Sequence, residues 1–418
     1  MMGLSDYSRN FANKAVSVLA GLVVSIILAR FLSVEARGEL AFIVQVSSIV
    51  AIVAGMGMGQ DFIRRYRNRP VPSTYSRVSS VYLLHFGILA TIGFLVAAAG
   101  ISAGSWLLCY VACLAVVLSA YQQIEAIMSA YDIALKIRVN FLYSILRIAS
   151  HCVMFVVAPS LIWVPVTIAA FNAAVPVVLY LAIAQRPHLE RPSLRLARKM
   201  YGFGWLPMIS TLLIVLNYSV DMVMLKPLGT AHDLGIYAVA IGVVTYLWVL
   251  PDAVKEVLIS RVVRKADPKA ALRPLKFAVF AAVFSVLVVV LTGWFLVPLL
   301  FGAAYYDSYL IIVALSVGVV AMTYYKVLSV LVIAEGKRVF YFACLLVAVL
   351  LNVALNAFAI PAYGAMGAAV VSSVTYAFTG LTFCAFYLRI AGLKFRDAIV
   401  LSADDIVELR KLLKFRRR

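Results

Sequence analysis

The chain has 418 residues, of which 64% are apolar and only 13% are charged, and its mean hydropathy is +1.01. A soluble protein cannot bury that much apolar surface, so the composition excludes an ordinary soluble fold and predicts a polytopic membrane protein. The formal net charge of +19 would also suit a protein that binds nucleic acid, so the positions of the charges decide between the two interpretations.

A helix needs about 20 apolar residues to cross the hydrocarbon core of a membrane. No segment shows the sustained alternation of apolar and polar residues that is typical of membrane strands, so we predict an all-α membrane protein. The predicted spans are residues 11–31, 38–59, 79–100, 106–127, 141–158, 163–184, 204–225, 235–258, 277–300, 308–331, 339–360 and 365–388.

The basic residues predict the orientation of these twelve spans. With the N-terminus in the cytoplasm, 32 of the 37 lysines and arginines fall in cytoplasmic segments. Cytoplasmic loops of membrane proteins carry such an excess, so both termini are predicted to be cytoplasmic. The net charge is therefore explained by topology, and we expect no nucleic-acid partner.

An internal repeat predicts two halves of six spans each. The segment from Ile26 to Val46 joins two apolar runs through a charged turn, and a similar segment runs from Val223 to Val244. With one inserted residue, Arg30 corresponds to Lys226 and Gly38 to Gly235. Duplication of this kind is found in many transporters, whose binding site lies between the repeats.

Four segments follow from the spans and the repeat: an N-terminal six-helix bundle at 1–185, a cytoplasmic linker at 186–203, a C-terminal bundle at 204–390 and a basic cytoplasmic tail at 391–418. Within the tail, a capping box and apolar residues at helical spacing predict a short amphipathic helix at 403–415 that lies on the inner leaflet. The alternative is a solvated basic tail that only enforces the topology.

Neither cysteines nor glycines form a recognisable chemical motif. The five cysteines lie in apolar runs without a CxxC pair, which predicts packing residues rather than disulfides or a zinc site. The sequence GMGMGQ at 55–60 ends a span, so it indicates a flexible or close-packed helix end rather than a phosphate-binding loop. There is no GxxxxGK[ST] or HExxH motif, and we expect neither enzymatic activity nor a cofactor apart from H⁺ or Na⁺ as a coupling ion.

Charges inside membrane spans are costly and often mark a transport pathway. Arg147 lies in the fifth span, and His151 shares its helix face at i+4, so the pair is a candidate site for an anionic group. Alternatively, Arg147 extends to the cytoplasmic edge and His151 is a hydrogen-bonded core residue. Lys326, beside Tyr324 and Tyr325 in the tenth span, is a second candidate cation, with the same alternative of extending to the headgroups.

Two carboxylates are candidates for ion coupling. Asp221 shares a face with Asn217 in the seventh span and could bind a proton or Na⁺, or else pair with Lys226. Asp252 follows Pro251, which interrupts the helical hydrogen bonds and frees carbonyl groups that can line a cavity.

Arg30 and Lys226 occupy equivalent places at the outer ends of the first and seventh spans. Together they could form a cationic rim at the outer mouth of a cavity between the halves. The alternative is that each is a cation favoured by the dipole at the C-terminus of its helix.

Three segments resemble polysaccharide and O-antigen flippases of the Wzx type, a branch of the superfamily that also holds multidrug exporters. They are LARFLSVEARGELAFIVQV at 28–46, LGTAHDLGIYAVAIGV at 228–243 and IPAYGAMGAAVVSSVTY at 360–376. Among candidate residues, Arg30 and Gly38 match the family motif. The resemblance implies a V-shaped, MATE-like bundle of two six-helix halves around a cationic cavity.

The resemblance further implies a flippase that moves an undecaprenyl-pyrophosphate-linked oligosaccharide across a bacterial inner membrane by ion-driven alternating access. Arg30, Arg147, Lys226 and Lys326 would meet the pyrophosphate, and Tyr324 and Tyr325 would stack on sugar rings. A polysaccharide polymerase or assembly protein is a candidate partner. The alternatives are a multidrug exporter and a peptidoglycan-precursor flippase. The short outer connections argue against a membrane polymerase or ligase.

Overall fold

The computed structural model describes residues 4–68, 72–131, 133–157, 163–182, 190–249, 251–252, 272–394 and 396, and every regular element among them is helical. This confirms the all-α class. The predicted tail helix at 403–415 lies outside the described residues. The helices are α1 (Leu4–Phe31), α2 (Val34–Ala54), α3 (Met58–Asn68), α4 (Pro72–Ser102), α5 (Trp106–Tyr131), α6 (Ile133–Val157), α7 (Trp163–Ala182), α8 (Leu194–Leu228), α9 (Ala231–Leu247), α10 (Leu272–Phe301), α11 (Ser308–Ala334) and α12 (Arg338–Ala391), with a 3-10 turn at Ala303–Tyr305.

Seven helices in the described part of the chain contain segments long and apolar enough to cross a membrane. The seven segments are Val34–Ala54, Ser76–Ser102, Trp106–Ser129, Leu194–Leu228, Leu272–Phe301, Ser308–Ala334 and Arg338–Ala391. The last of them has 54 residues and holds two of the predicted spans. The other predicted spans correspond to α1, α6, α7 and α9, so a helix lies at each predicted position.

A bend at Gly364 divides α12. Its backbone angles (φ 55°, ψ −136°) are not helical, and the positive φ is one that glycine adopts at little cost. Pro361, three residues earlier, lacks the N–H group that would continue the helical hydrogen bonds. The bend falls between the predicted spans 339–360 and 365–388, so it is the turn that the sequence places there.

A second break separates α2 from α3 and shortens the predicted span 38–59. Met56 and Gly57 have φ values of 49° and 62°, which end α2 and start α3 in a new direction. A Cβ atom at Gly57 would collide with the carbonyl oxygen of Gly204 in α8. The glycine-rich segment is therefore a close-packed helix end, which was one of its two predicted forms.

The chain forms two compact units, Met1–Ala238 and Val239–Arg418. In the first unit, α2 packs on α5 and α8, α4 packs on α5, and α1 packs on α6. In the second unit, α11 packs on α10 and α12. The predicted boundary between two six-helix halves, at 186–203, was placed by the number of spans, whereas these units are defined by contacts. The predicted halves therefore stay a prediction.

Gly38 and Gly235, the equivalent glycines of the predicted repeat, touch each other within the first unit. A Cβ atom at Gly38 would lie 2.6 Å from the backbone nitrogen of Gly235, and one at Gly235 would collide with the carbonyl oxygen of Val34. The absence of side chains at both positions thus lets α2 and the start of α9 approach at backbone distance.

Replacement of Gly38 by alanine tests this contact. Alanine favours a helix over glycine by about 1 kcal/mol, so without the contact Gly38→Ala would stabilise the protein. We expect destabilisation by about 1–3 kcal/mol, because the added methyl group must displace a backbone. Thermal unfolding of the purified protein in detergent measures the difference.

Gly202→Ala is the matched control, since a Cβ atom at Gly202 of α8 would have no atom within 4 Å. We expect its unfolding temperature to equal or exceed that of the wild type. Equal unfolding temperatures for Gly38→Ala and Gly202→Ala would show that α2 and α9 are not packed at backbone distance.

Candidate functional site

Two candidate residues of the first unit, Arg30 and Lys226, lie at the ends of α1 and α8, and the cationic rim that they could form stays a prediction. Arg30 is exposed in the last turn of α1. Lys226, in the last turn of α8, donates to the carboxylate of Glu39 in α2, and its ammonium lies 5.8 Å from the ring centroid of Phe42. The predicted alternative, an ion pair of Lys226 with Asp221, is wrong, because Glu39 of the neighbouring helix holds the ammonium.

Asp221 lies deeper in α8 and is 1% exposed. Its Oδ1 accepts a hydrogen bond from the backbone N–H of Met222 at 2.7 Å, and its Oδ2 accepts one from the hydroxyl of Tyr237 in α9. Asn217, one turn earlier on the same helix, is fully buried. The carboxylate is therefore held by neutral donors, and its role in ion coupling stays a prediction.

Arg147 and His151 both lie in α6. His151 is 1% exposed, and its Nδ1 lies 2.7 Å from the backbone carbonyl oxygen of Arg147, so this nitrogen carries the proton and donates. The guanidinium of Arg147 lies 5.8 Å from the ring centroid of Tyr143. Tyr143 in turn donates to Oδ1 of Asn172 in α7 at 3.4 Å.

Two buried nitrogens of this pair lack hydrogen-bond partners among the described residues: Nε of Arg147 and Nε2 of His151. A buried polar atom without a partner costs about 1–3 kcal/mol, so such atoms usually have a further ligand or a function. The predicted i+4 arrangement is present, but His151 touches the backbone of Arg147 rather than its guanidinium.

In the second unit, Lys326 of α11 and Asp252 form an ion pair. Lys326 is 8% exposed, and its ammonium donates to both carboxylate oxygens of Asp252 at 3.0 Å each. The same ammonium lies 4.8 Å from the ring centroid of Trp248. From the sequence, Lys326 was predicted to bind substrate and Asp252 to bind the coupling ion. In the structure the two side chains are in contact.

Tyr324 and Tyr325, the neighbours of Lys326, are buried in the second unit. The hydroxyl of Tyr325 lies 3.1 Å from that of Tyr341, and its ring meets Phe383 edge-on at 4.9 Å between centroids. These contacts occupy the ring of Tyr325 with protein. The predicted stacking of both tyrosines on sugar rings stays a prediction, and it requires rearrangement around Tyr325.

A small cavity in the first unit was not predicted. It opens at the break between α2 and α3, and its uncharged hydrogen-bonding side chains are Gln60, Gln122, Gln123 and Thr211. The adjacent glutamines and the glycine-rich segment were visible in the sequence, but nothing there showed that α3, α5 and α8 meet around one space. With a volume of ≈ 70 Å³, this cavity is far smaller than the pockets of about 300–1,000 Å³ that usually bind a small molecule.

Comparisons with known proteins agree with this architecture. A profile of a family described as polysaccharide biosynthesis protein matches residues 10–251, whereas a search of curated proteins found no match. Among solved structures, the chain resembles an inward-facing multidrug resistance MATE family transporter of the MOP superfamily, with 14% identity, a TM-score of 0.70 and coverage of 90% of this chain and 94% of that one.

Two further structures are similar. One is the lipid II flippase MurJ in an inward closed conformation, with 13% identity, a TM-score of 0.69 and coverage of 97% and 92% of the two chains. The other is the MATE multidrug transporter DinF-BH, with 12% identity, a TM-score of 0.60 and coverage of 95% and 96%. At these identities the likeness shows the fold alone. The fold is MATE-like, as predicted, whereas the V shape, the two six-helix repeats and the cytoplasmic termini stay predictions.

The ion pair of Lys326 with Asp252 predicts an order of stabilities. Lys326→Met leaves the carboxylate of Asp252 without its partner, whereas Lys326→Met combined with Asp252→Leu removes both charges. For a pair that is largely shielded from water, removal of one partner is more damaging than replacement of both by apolar groups. We therefore expect the single variant to unfold at a lower temperature than the double variant in detergent.

Lys337→Met is the control for loss of one positive charge, since Lys337 is exposed between α11 and α12. It should unfold as the wild type does. A double variant no more stable than Lys326→Met would mean that the two side chains do not depend on each other.

Proposed function

Because the chain belongs to the polysaccharide biosynthesis protein family, we propose that it is a flippase for a lipid-linked oligosaccharide. It would move an undecaprenyl-pyrophosphate-linked repeat unit from the inner to the outer leaflet of a bacterial inner membrane, for polysaccharide export. The observation that carries the proposal is the family match over residues 10–251. The fold supports it, since a lipid II flippase shares that fold.

The cations of the candidate site suit this substrate. A pyrophosphate carries several anionic oxygens, which form strong hydrogen bonds with guanidinium and ammonium groups. The Nε of Arg147 is buried and has no hydrogen-bond partner in the described residues. It can therefore donate a hydrogen bond to the pyrophosphate without losing an existing one. Arg30 and Lys226 would contact the same group at the outer end of the pathway.

The pair of Lys326 and Asp252 offers a means of ion coupling. A proton or Na⁺ bound to Asp252 would neutralise the carboxylate that holds Lys326, and the released ammonium would attract the pyrophosphate. Asp252 has 33% of its side chain exposed, so an ion can reach it. Ion and substrate would each favour the separated pair, which gives positive coupling between them.

His151 and Asp221 are the other proposed ion-coupling groups, with Asn217 beside Asp221. The Nε2 of His151, which has no hydrogen-bond partner among the described residues, can take a proton, and this would place a second positive charge near Arg147. Asp221 would have to give up the hydroxyl of Tyr237 to bind an ion. We therefore rank Asp252, which is 33% exposed, above His151 and Asp221, which are both buried.

We propose a polysaccharide polymerase or assembly protein as the partner that receives the translocated unit.

A multidrug exporter is the second candidate, because two of the similar structures are multidrug transporters. A cationic drug would need a free carboxylate, but Asp221 is buried and bound to the hydroxyl of Tyr237, and Asp252 would first have to give up the ammonium of Lys326. A peptidoglycan-precursor flippase is a third, given the similarity to MurJ. Measurement of which lipid-linked glycan moves separates these functions.

The proposal can be tested by measuring which leaflet holds a labelled lipid-linked glycan in a deletion strain. In cells that lack this protein and any redundant flippase, we expect the glycan to accumulate in the inner leaflet, because its charged head cannot cross the hydrocarbon unaided. Accessibility of the glycan to an external lectin measures its position. A normal amount in the outer leaflet would eliminate the flippase.

In the same assay, Arg147→Ala should reduce export several-fold although the protein is still inserted, and Arg147→Lys should restore part of it. Arg138→Ala is the matched control, since Arg138 is an arginine on the same helix outside the predicted span. Wild-type export by Arg147→Ala would mean that Arg147 does not contact the substrate.

A further inference from the structure

A basic pocket lies between the end of α3, the start of α4 and the start of α8, entirely within the first unit. Its volume is ≈ 390 Å³. Its charged and polar lining consists of Arg65, Arg77, Glu190, Arg191, Ser193, Arg195 and Lys199. The family resemblance and the proposed transport pathway assign no role to these residues.

The pocket has more positive charge than its own carboxylates can balance. Arg77 pairs with Glu190 at 3.4 Å, and Arg65 pairs with the buried carboxylate of Asp61. The remaining three cations, Arg191, Arg195 and Lys199, form no ion pair with any residue that the structure describes. A concave surface with like charges of this kind attracts an anion strongly.

The walls of the pocket are held in place without a ligand. The backbone N–H of Glu190 donates to the hydroxyl of Ser80 in α4 at 3.0 Å, which ties the segment before α8 to α4. Ser193 caps α8 by accepting from the N–H of Leu196 at 3.3 Å. A preorganised site binds more tightly because less freedom is lost, and the helix N-terminus adds a partial positive charge.

The position of the pocket suggests where its ligand comes from. Arg77 lies at the start of the apolar segment Ser76–Ser102, and Lys199 lies in the first two turns of the apolar helix Leu194–Leu228. Charges at the ends of spans lie at the level of the lipid headgroups. Phosphate groups are the anions found at that level.

We propose that the basic pocket binds a phosphate or diphosphate group. Arginines that converge from separate elements can each bind two oxygens of one phosphate, which favours this group over a single carboxylate. The group belongs either to a membrane lipid headgroup or to a soluble phosphate compound. The proposal is independent of the proposed function, because the pocket would bind phosphate whatever the protein transports.

Binding to the purified full-length protein tests the proposal. In one arm, thermal unfolding is measured in lipid-free detergent as inorganic pyrophosphate is added. In the other arm, it is measured in phosphatidylcholine nanodiscs with and without phosphatidylglycerol. The pocket variant is Arg191→Gln/Arg195→Gln, which breaks no ion pair within the described structure. Lys337→Gln/Arg338→Gln is the matched control, since it removes the same charge from exposed positions.

We expect the ligand to raise the unfolding temperature of the wild type and of the control. The pocket variant should need at least about tenfold more ligand for the same rise, since it loses two charge-assisted contacts. Stabilisation by pyrophosphate identifies a soluble group as a ligand, and stabilisation by phosphatidylglycerol alone identifies a lipid headgroup. Either result supports the site if the pocket variant loses it. Equal responses of the pocket and control variants, or no response to either ligand, overturn it.

Discussion

The bond between Lys326 and Asp252 shows the constraint that governs this molecule: a charge carried by an apolar helix needs a partner within reach. The first unit follows the same rule with other groups. Asp221 is held by a tyrosine hydroxyl, and Lys226 is held by Glu39. Glu39 lies in α2 and Tyr237 in α9, so these two contacts join α8 to its neighbouring helices.

The rule also locates the places where the protein can accept a ligand. Arg147 and His151 keep buried nitrogens without partners in the described structure, and three cations of the basic pocket have no ion pair there. In both places the chain supplies positive charge and leaves its neutralisation to another molecule. Under the proposed function a pyrophosphate would bind near Arg147, whereas the basic pocket would bind a phosphate group whatever the protein transports.

Helix positions could be predicted from the sequence, because a helix that crosses the membrane needs an apolar run of about 20 residues. The pairings could not, since Lys326 and Asp252 are 74 residues apart and Lys226 and Glu39 are 187 apart. The early end of α2 was missed for a similar reason: Gly57 breaks the helix where it meets Gly204, a contact that only the fold creates. The repeat identified Gly38 and Gly235 as equivalent, but not as neighbours.

Translocation by the purified protein in liposomes is the most direct test of the proposed function. A lipid-linked oligosaccharide is incorporated with the protein, a proton or sodium gradient is imposed, and an external lectin reports the glycan that reaches the outer leaflet. We predict that the gradient accelerates this arrival, and that Lys326→Met reduces it. Arrival no faster than in liposomes without protein would contradict the account.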